Sequence, residues 1–308
     1  MKKPQLAPWL DQLHDAVWWS LRAKLTPESA LEERVAGKTI LITGASSGIG
    51  AALARKLATT HVRLLLVARR EDRLQQLAEE LRLAGADVTY YCADLSQSAD
   101  CEKLCQQLLE REGGVDILAN NAGRSIRRSL KHSLARMHDF ERTMTLNYFA
   151  PVRLALGLLP AMRQRAQGHI INVSTLGIQT TPPRFAAYLA SKGALELWTR
   201  VAAIEFLHEG IHFSLANFPL VRTPMIAPTR SYRKLPVMSP EAAADWICEL
   251  IITRARRKIS ATGLLTTGIA NLLPRTSNLL LNLAYQLTAE SPQQSPGDVH
   301  HLPTARQR

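Results

Sequence analysis

Between residues 37 and 262, short apolar runs of strand length alternate with longer stretches whose leucines recur every three or four positions. The runs KTILIT (38–43), VRLLLV (62–67), DVTYYC (87–92), VDILAN (115–120), HIINVS (169–174), IHFSLAN (211–217) and KISAT (258–262) predict strands. Helical spacing joins Leu53 to Leu57, Leu74 to Leu77 and Leu81, Leu104 to Leu108, Leu154 to Leu158, and Leu195 to Leu207. Ser239-Pro240-Glu241 starts a further helix with a capping hydroxyl, a proline at the first position and an early acid. Strand, helix, strand, repeated over seven strands, predicts a mainly parallel sheet covered on both faces: a single doubly wound α/β domain.

The two ends depart from that rhythm. Trp9, Leu10, Leu13, Val17 and Leu21 share one helical face. Such a face packs on its own domain or on a partner subunit, or lies in a membrane interface. Residues 263–289 are apolar and interrupted by Pro274, which predicts two short helices, and the polar stretch 290–308 reads as disordered. The expected organisation is an amphipathic extension (1–35), the α/β domain (36–262), an apolar helical extension (263–289) and a tail (290–308).

Charge narrows the partners. With 38 Lys and Arg against 26 Asp and Glu, the net charge is +12. That favours anionic partners such as phosphate-bearing ligands or membrane surfaces. No basic run with interleaved aromatics and no zinc-finger spacing supports nucleic acid, which is not expected. The four cysteines, Cys92, Cys101, Cys105 and Cys248, lack the second pair or histidines of a metal site, so no metal is expected. The start of the chain is a poor secretory signal and no apolar run reaches about 18 residues. The expectation is a cytoplasmic protein with free thiols, in peripheral membrane contact if residues 5–25 provide it.

The first strand runs into Thr43-Gly44-Ala45-Ser46-Ser47-Gly48-Ile49-Gly50. Small residues at a strand-to-helix turn let the backbone approach a pyrophosphate, while the helix offers free N–H groups and its positive dipole end. This makes the domain Rossmann-type. The second strand ends Val67-Ala68-Arg69-Arg70. A carboxylate there would bind the ribose hydroxyls of NAD; an alanine followed by two arginines suits the extra phosphate of NADP(H) better, with Ser46 and Ser47 as added donors. NAD is the less favoured cofactor.

With TGASSGIG at 43–50, Asn120-Asn121-Ala122-Gly123 after the fourth strand and Tyr188-Leu189-Ala190-Ser191-Lys192, the sequence resembles the short-chain dehydrogenase/reductase superfamily over about residues 36–262. The resemblance implies cofactor contacts from Gly44, Ser46, Ser47, Gly48, Ile49, Gly50, Arg69 and Arg70. It further implies Asp94 on the adenine ring, and Asn121, Ala122 and Gly123 beside the cofactor. Lys192 would hold the nicotinamide ribose, Val221 and Thr223 would meet the carboxamide, and Asn147 would position water for proton relay. It also implies dimers or tetramers built on the helices around 140–160 and 185–208.

Physical chemistry supports Tyr188 and Lys192 independently. Four residues apart on a helix they share a face, and an ammonium nearby favours tyrosinate, drawing a phenol pKa of about 10 toward the working range. In reduction Tyr188 would donate the proton. The superfamily's carbonyl-binding hydroxyl commonly lies thirteen residues before the tyrosine, which is Thr175; Ser174 is the fallback, and strand alternation points the two opposite ways. At Pro219-Leu220-Val221-Arg222-Thr223 a leucine stands where the family usually has glycine, so the turn there is expected to differ.

The stretches NNAGRSIRRSLKHSLARMHDFERTMTLNYFAPVRLALGLLP (120–160), PLVRTPMIAP (219–228) and SYRKLPVMSPEAAADWI (231–247) are more specifically similar to bacterial short-chain-type fatty acyl-CoA reductases. That similarity implies NADPH-dependent reduction of a long-chain acyl-CoA or fatty aldehyde, and hydride reduction of a thioester requires no cysteine nucleophile. Arg124, Arg127, Arg128, Lys131, Arg136 and Arg142 against Asp139 and Glu141 form a basic stretch suited either to CoA phosphates or to a solvated face. Residues 263–288, with Met225 and Ile226, are expected to wall an acyl channel. Two other readings stay open at this point: an NADP-dependent carbonyl reductase or alcohol dehydrogenase acting on a bulky ketone, sterol-like or 3-oxoacyl compound, and a non-catalytic NADP-binding scaffold.

Overall fold

The computed structural model describes residues 28–227, 229 and 237–288. The amphipathic face at 5–25, the tail at 290–308 and residues 231–236 lie outside the described residues. Helix α1 (Glu28–Val35) leads into β1 (Thr39–Thr43), α2 (Gly48–Leu57), β2 (Arg63–Ala68), α3 (Glu71–Leu83), β3 (Asp87–Cys92), α4 (Ser98–Glu112) and β4 (Ile117–Asn120). There follow α5 (Met137–Met144), one π-helical turn (Thr145–Phe149), α6 (Ala150–Gln164), β5 (Gly168–Thr175), the short α7 (Gly177–Thr180), α8 (Ala186–Glu205) and β6 (Ile211–Phe218). The chain continues through α9 (Pro240–Thr253), β7 (Arg257–Ile259), α10 (Ala261–Leu272) and α11 (Pro274–Leu287).

The seven strands form one sheet in the order β3-β2-β1-β4-β5-β6-β7, and every pairing is parallel. The order reverses between β1 and β4, which opens a crevice at their carboxyl ends, the position where open α/β sheets bind ligands. The central strands are buried on both faces and mostly apolar, with polar residues such as Thr43, Asn120 and Asn172 at or near their carboxyl ends. Leu64 and Leu66 of β2 point to the core under α1, α2, α3 and α9, whereas Leu65 and Val67 point to that under α4, α6 and α8. Leu53, Leu57, Leu74, Leu81, Leu104, Leu108, Leu154 and Leu158, predicted by their spacing, are all buried. Each such side chain stabilises the fold by about 1.5–3 kcal/mol.

Two boundaries differ from the pattern reading. The run KISAT ends its strand at Ile259, because Ser260 instead caps α10, accepting the Gly263 N–H at 3.0 Å. Leu207 falls beyond the end of α8 and is 38% exposed, so the long helix stops before it. Ser239 caps α9 as predicted, accepting the Ala242 N–H at 3.0 Å.

Candidate active site

A cleft of about 740 Å³ opens over the carboxyl ends of the strands. The glycine loop forms one wall. Gly44 has φ +68°, and a Cβ there would lie 2.9 Å from the Ala122 Cα; at Gly50 a Cβ would lie 2.5 Å from the Gly44 oxygen. No side chain fits at either position, which keeps the loop flat against β4 and the start of α2 open. Ser47, the residue preceding α2, makes no side-chain capping bond, and no acid sits in the first turn. The helix therefore presents unsatisfied N–H groups and its positive end to an anion in the cleft.

The loop is braced from β4. Thr43 Oγ1 accepts the N–H groups of Asn121 and Ala122, both at 3.0 Å, and Asn121 Nδ2 donates to the oxygens of Thr43 (3.0 Å) and Gly44 (3.3 Å). The Asn121 side chain is thus spent on the loop. Arg70 precedes α3 and its Nη2 donates to Ser47 Oγ at 3.1 Å and Ser46 Oγ at 3.3 Å, while Arg69 is exposed; all four residues line the cleft. Asp94 is partly buried, which opposes its charge, but the Ser96 hydroxyl (2.7 Å) and N–H (3.0 Å), with Arg69 and Arg124 nearby, hold its pKa below the usual carboxylate value. A glycine cradle, an open helix start, two arginines and no acid at Ala68 fit a dinucleotide carrying an additional phosphate.

On the opposite wall, α8 carries Tyr188 and Lys192, and β5 carries Ser174 and Thr175; all four line the cleft. Lys192 is 3% exposed and its Nζ donates to the Val173 oxygen at 2.8 Å. Burial lowers its pKa from 10.5 to about 8. A Cβ at Gly123 would stand 3.2 Å from Asn147 Oδ1 and 3.5 Å from Lys192 Nζ, so the backbone of 121–123 closes over both. The two hydroxyls differ. Ser174 is 3% exposed and its Oγ is buried without a hydrogen-bond partner. Thr175 Oγ1 accepts the Gly177 N–H at 3.1 Å, which leaves its proton to be donated elsewhere.

Asn147 lies in the π-helical turn, fully buried. Its Oδ1 accepts the Arg124 N–H at 2.8 Å, and its Nδ2 donates to the Arg124 oxygen at 2.8 Å and to Ser191 Oγ at 2.9 Å. It thereby ties the irregular segment following β4 to α8. Val221 is buried and bridges to Met238, and a Cβ on Gly48 would touch Thr223 Cγ2 at 3.0 Å, so the 219–223 segment packs against the glycine loop. Leu220 is not among the residues with positive φ, so the leucine at the family's glycine position makes no left-handed turn.

Sequence reasoning passed over three features. Glu196, one turn after Lys192 on α8 and 6% exposed, accepts from Asn217 Nδ2 at 2.9 Å and pairs with Arg257 at 2.8 Å. Asn217 Nδ2 also reaches the Thr175 oxygen at 3.3 Å, so this buried set anchors the end of β5. The π-helical turn carries no one-dimensional signature, though such turns concentrate at functional sites. The basic stretch divides: Arg128 and Arg136 both grip the buried Asp139, at 3.0 and 3.1 Å, while Arg124 and Arg127 line the cleft. The expected acyl-channel walls need correction too. Met225 and Ile226 line the cleft, but none of the described side chains of α10 or α11 does; α10 lies behind Leu176, whose Cδ1 a Cβ on Gly263 would meet at 2.5 Å. Cys101, Cys105 and Cys248 are buried, with burial raising their pKa values to about 11, 11 and 12, and no metal-binding cluster occurs among the described residues.

A parallel, doubly wound sheet with a glycine cradle at its switch point and a tyrosine–lysine helix across the crevice defines a nucleotide-fold oxidoreductase. The chain belongs to the short-chain dehydrogenase family, whose model matches residues 38–234. It is 42% identical over 264 residues to a fatty acyl-CoA reductase of Acinetobacter baylyi, spanning 86% of this chain and 90% of that one. It is 43% identical over 246 residues to a fatty acyl-CoA reductase of Mycobacterium tuberculosis, spanning 80% and 84%. Among solved structures it is similar to a short-chain dehydrogenase of Sphingobium yanoikuyae in complex with NADPH, with TM-score 0.68 and 28% identity, over 83% of this chain and 99% of that one.

Proposed function

We propose that this oxidoreductase uses NADPH to reduce a long-chain acyl-CoA or fatty aldehyde, with Tyr188 as the general acid. The observation that carries the reading is one cleft shared by the glycine loop, by Thr175, Tyr188 and Lys192, and by an apolar end of Leu176, Phe185, Leu189, Met225 and Ile226. Two relatives of nearly matching length bear the name fatty acyl-CoA reductase, which supports the same substrate class.

Ser46, Ser47, Gly48 and Ile49 would hold the pyrophosphate at the open start of α2. Arg69 and Arg70 would hold the additional phosphate, Asp94 the adenine, Lys192 the ribose, and Val221 with Thr223 the carboxamide. When bound, the reduced nicotinamide supplies hydride to the substrate carbonyl carbon. Tyr188 gives its phenolic proton to the substrate oxygen, and the Thr175 hydroxyl donates to that same oxygen, stabilising charge as it develops. With a thioester the resulting hemithioacetal returns its hydroxyl proton to the Tyr188 oxygen as the C–S bond breaks, leaving aldehyde and a thiolate that takes a proton from solvent. Lys192 keeps its ammonium below a pKa of about 8 and so stabilises the tyrosinate left behind. Asn147 and Ser191 hold the α8 turn that carries both. Leu156 on α6, with Leu197, Val201 and Ile204 on α8, leaves an exposed apolar surface of the kind a second copy would cover.

The test is NADPH consumption with palmitoyl-CoA while free thiol is followed, and with hexadecanal in parallel. Thiol release matched to NADPH loss is the expected result. Loss with hexadecanal alone would make the chain an aldehyde reductase. Silence with both, while NADPH still binds, would reject the acyl reading in favour of a bulky ketone.

A further inference from the structure

Helices α10 and α11 turn their apolar sides away from the domain. Gly263, Thr267 and Ala270 of α10, and Ser277, Leu281 and Tyr285 of α11, are the positions that are buried or half-buried. Outward stand Leu264, Leu265, Ile269 and Leu272 on α10, Leu273 at the junction, and Leu279, Leu280, Leu283 and Leu287 on α11, each 45–85% exposed. Arg275, Asn278, Asn282 and Gln286 form a separate polar stripe along one flank of α11. A helix resting on a domain ordinarily shows water its polar face. Nine neighbouring leucine and isoleucine side chains left outside mark an interaction surface rather than scattered exposure.

The surface is firmly mounted beside the cleft. Gly263 abuts Leu176, a cleft residue. Arg184, between the cleft residues Pro182 and Phe185, donates to Thr288 Oγ1 (2.7 Å), the Tyr285 oxygen (3.1 Å) and the Thr288 oxygen, with its guanidinium 4.7 Å from the Tyr285 ring centre. Lys131 Nζ lies 5.9 Å from the same ring, on the domain-facing side of α11, so the basic stretch, with its own exposed Leu130, Leu134 and Met137, adjoins the base of the helix pair. From 261 to 288 the chain contains no Asp or Glu, and Arg275 is its one charge.

We propose that α10 and α11 form a docking face for an anionic lipid surface, lying in the headgroup region beside the mouth of the cleft. The two helices, 12 and 14 residues long, reach about 18 and 21 Å, short of the roughly 30 Å needed to cross a bilayer. An apolar outer face with Arg275 on its flank and Lys131 at its base is the pattern of an interfacial helix pair. A second copy fits less well. It would bring the same cations to the rim, and the exposed set holds leucines in place of the Trp, Tyr and Arg that anchor protein contacts.

The experiment is flotation of the full chain, without substrate, on phosphatidylglycerol/phosphatidylcholine vesicles and on phosphatidylcholine alone, with mass measured in solution. Recovery with the anionic vesicles, weakened by salt, is expected. Leu279→Ser, Leu283→Ser and Leu287→Ser should each lower that recovery at least about tenfold while leaving the melting temperature in place, because the side chains are already exposed. Lys131→Glu should lower it without touching a leucine. Full retention of binding in these variants, with loss in Trp9→Ser/Leu13→Ser, would assign the contact to the N-terminal segment and overturn the proposal. A fall in oligomer mass in the leucine variants would make a second copy the occupant. Binding to neither vesicle would also overturn it.

Discussion

At the carboxyl ends of the strands Lys192 is buried beside the cleft; at their amino ends His169 is buried and His212 half-buried, near Arg34, Lys38 and Arg254. Burial acts the same way on both, penalising the charged form. The outcomes differ because of where each group starts. Lysine begins at 10.5 and falls to about 8, so it keeps its proton at neutral pH, donating to the Val173 oxygen. His212 falls from 6.5 to about 4, through burial first and then the neighbouring Arg254 and Arg34, and stays neutral. Its Nε2 lies 3.1 Å from Arg254 Nη1, an arrangement that requires the unprotonated nitrogen. One edge of the sheet thus retains a buried charge beside the cleft, and the other keeps two imidazoles neutral.

Substitutions can separate the two edges. The largest effect is expected from Tyr188→Phe, which should cut the reductase rate by about 10²–10⁴-fold with NADPH binding and melting temperature unchanged. A stability loss of similar size would move Tyr188 to the structural side. Thr175→Val should lose about 10²-fold in kcat, whereas Ser174→Ala, which removes an unpartnered buried hydroxyl, should stay near the parent rate. The reverse ranking would assign the carbonyl contact to Ser174. Glu196→Gln should lower kcat about tenfold with little change in KM, by loosening the Asn217 anchor on the end of β5. A change confined to melting temperature would count against that role.

The smallest effects are in pH. The reduction rate should decline as pH rises through about 8, where Lys192 loses its proton. In Lys192→Arg that break should vanish, because a guanidinium stays charged, although the rate itself is lower. At the amino edge the sign is set by His212. Its folded pKa lies below its unfolded one, so the unfolded chain binds more protons between about 4 and 6.5. Its stabilising contribution is present above pH 6.5 and declines as pH falls toward 4. His212→Gln should flatten the acid limb of a melting-temperature profile; an unchanged limb would remove the histidine from the account.

The strands, the glycine loop and the leucine faces of α2, α3, α4 and α6 were legible because each depends on spacing along one segment. Alternation, helical period and a short loop are local properties, and a single chain displays them in order. That Tyr188 and Lys192 share one helix was legible for the same reason, being four apart. What the string could not order was the partner of each polar group. That Thr175 Oγ1 accepts the Gly177 N–H while Ser174 Oγ is left buried without a partner depends on how the chain turns after β5. Arg128 and Arg136 read as free charge until Asp139 is seen between them. Asn217, Glu196 and Arg257 meet across 61 residues of chain, and nothing in their spacing announces it.

The apolar stretch after β7 shows the same division. Its composition and Pro274 alone dictated two short helices, since proline ends one and starts the next. Which way their leucines point was decided by the docking of Gly263 on Leu176 and of Tyr285 and Thr288 on Arg184. Periodicity fixes the faces of a helix relative to one another, but only contacts with the rest of the molecule choose the face that turns outward.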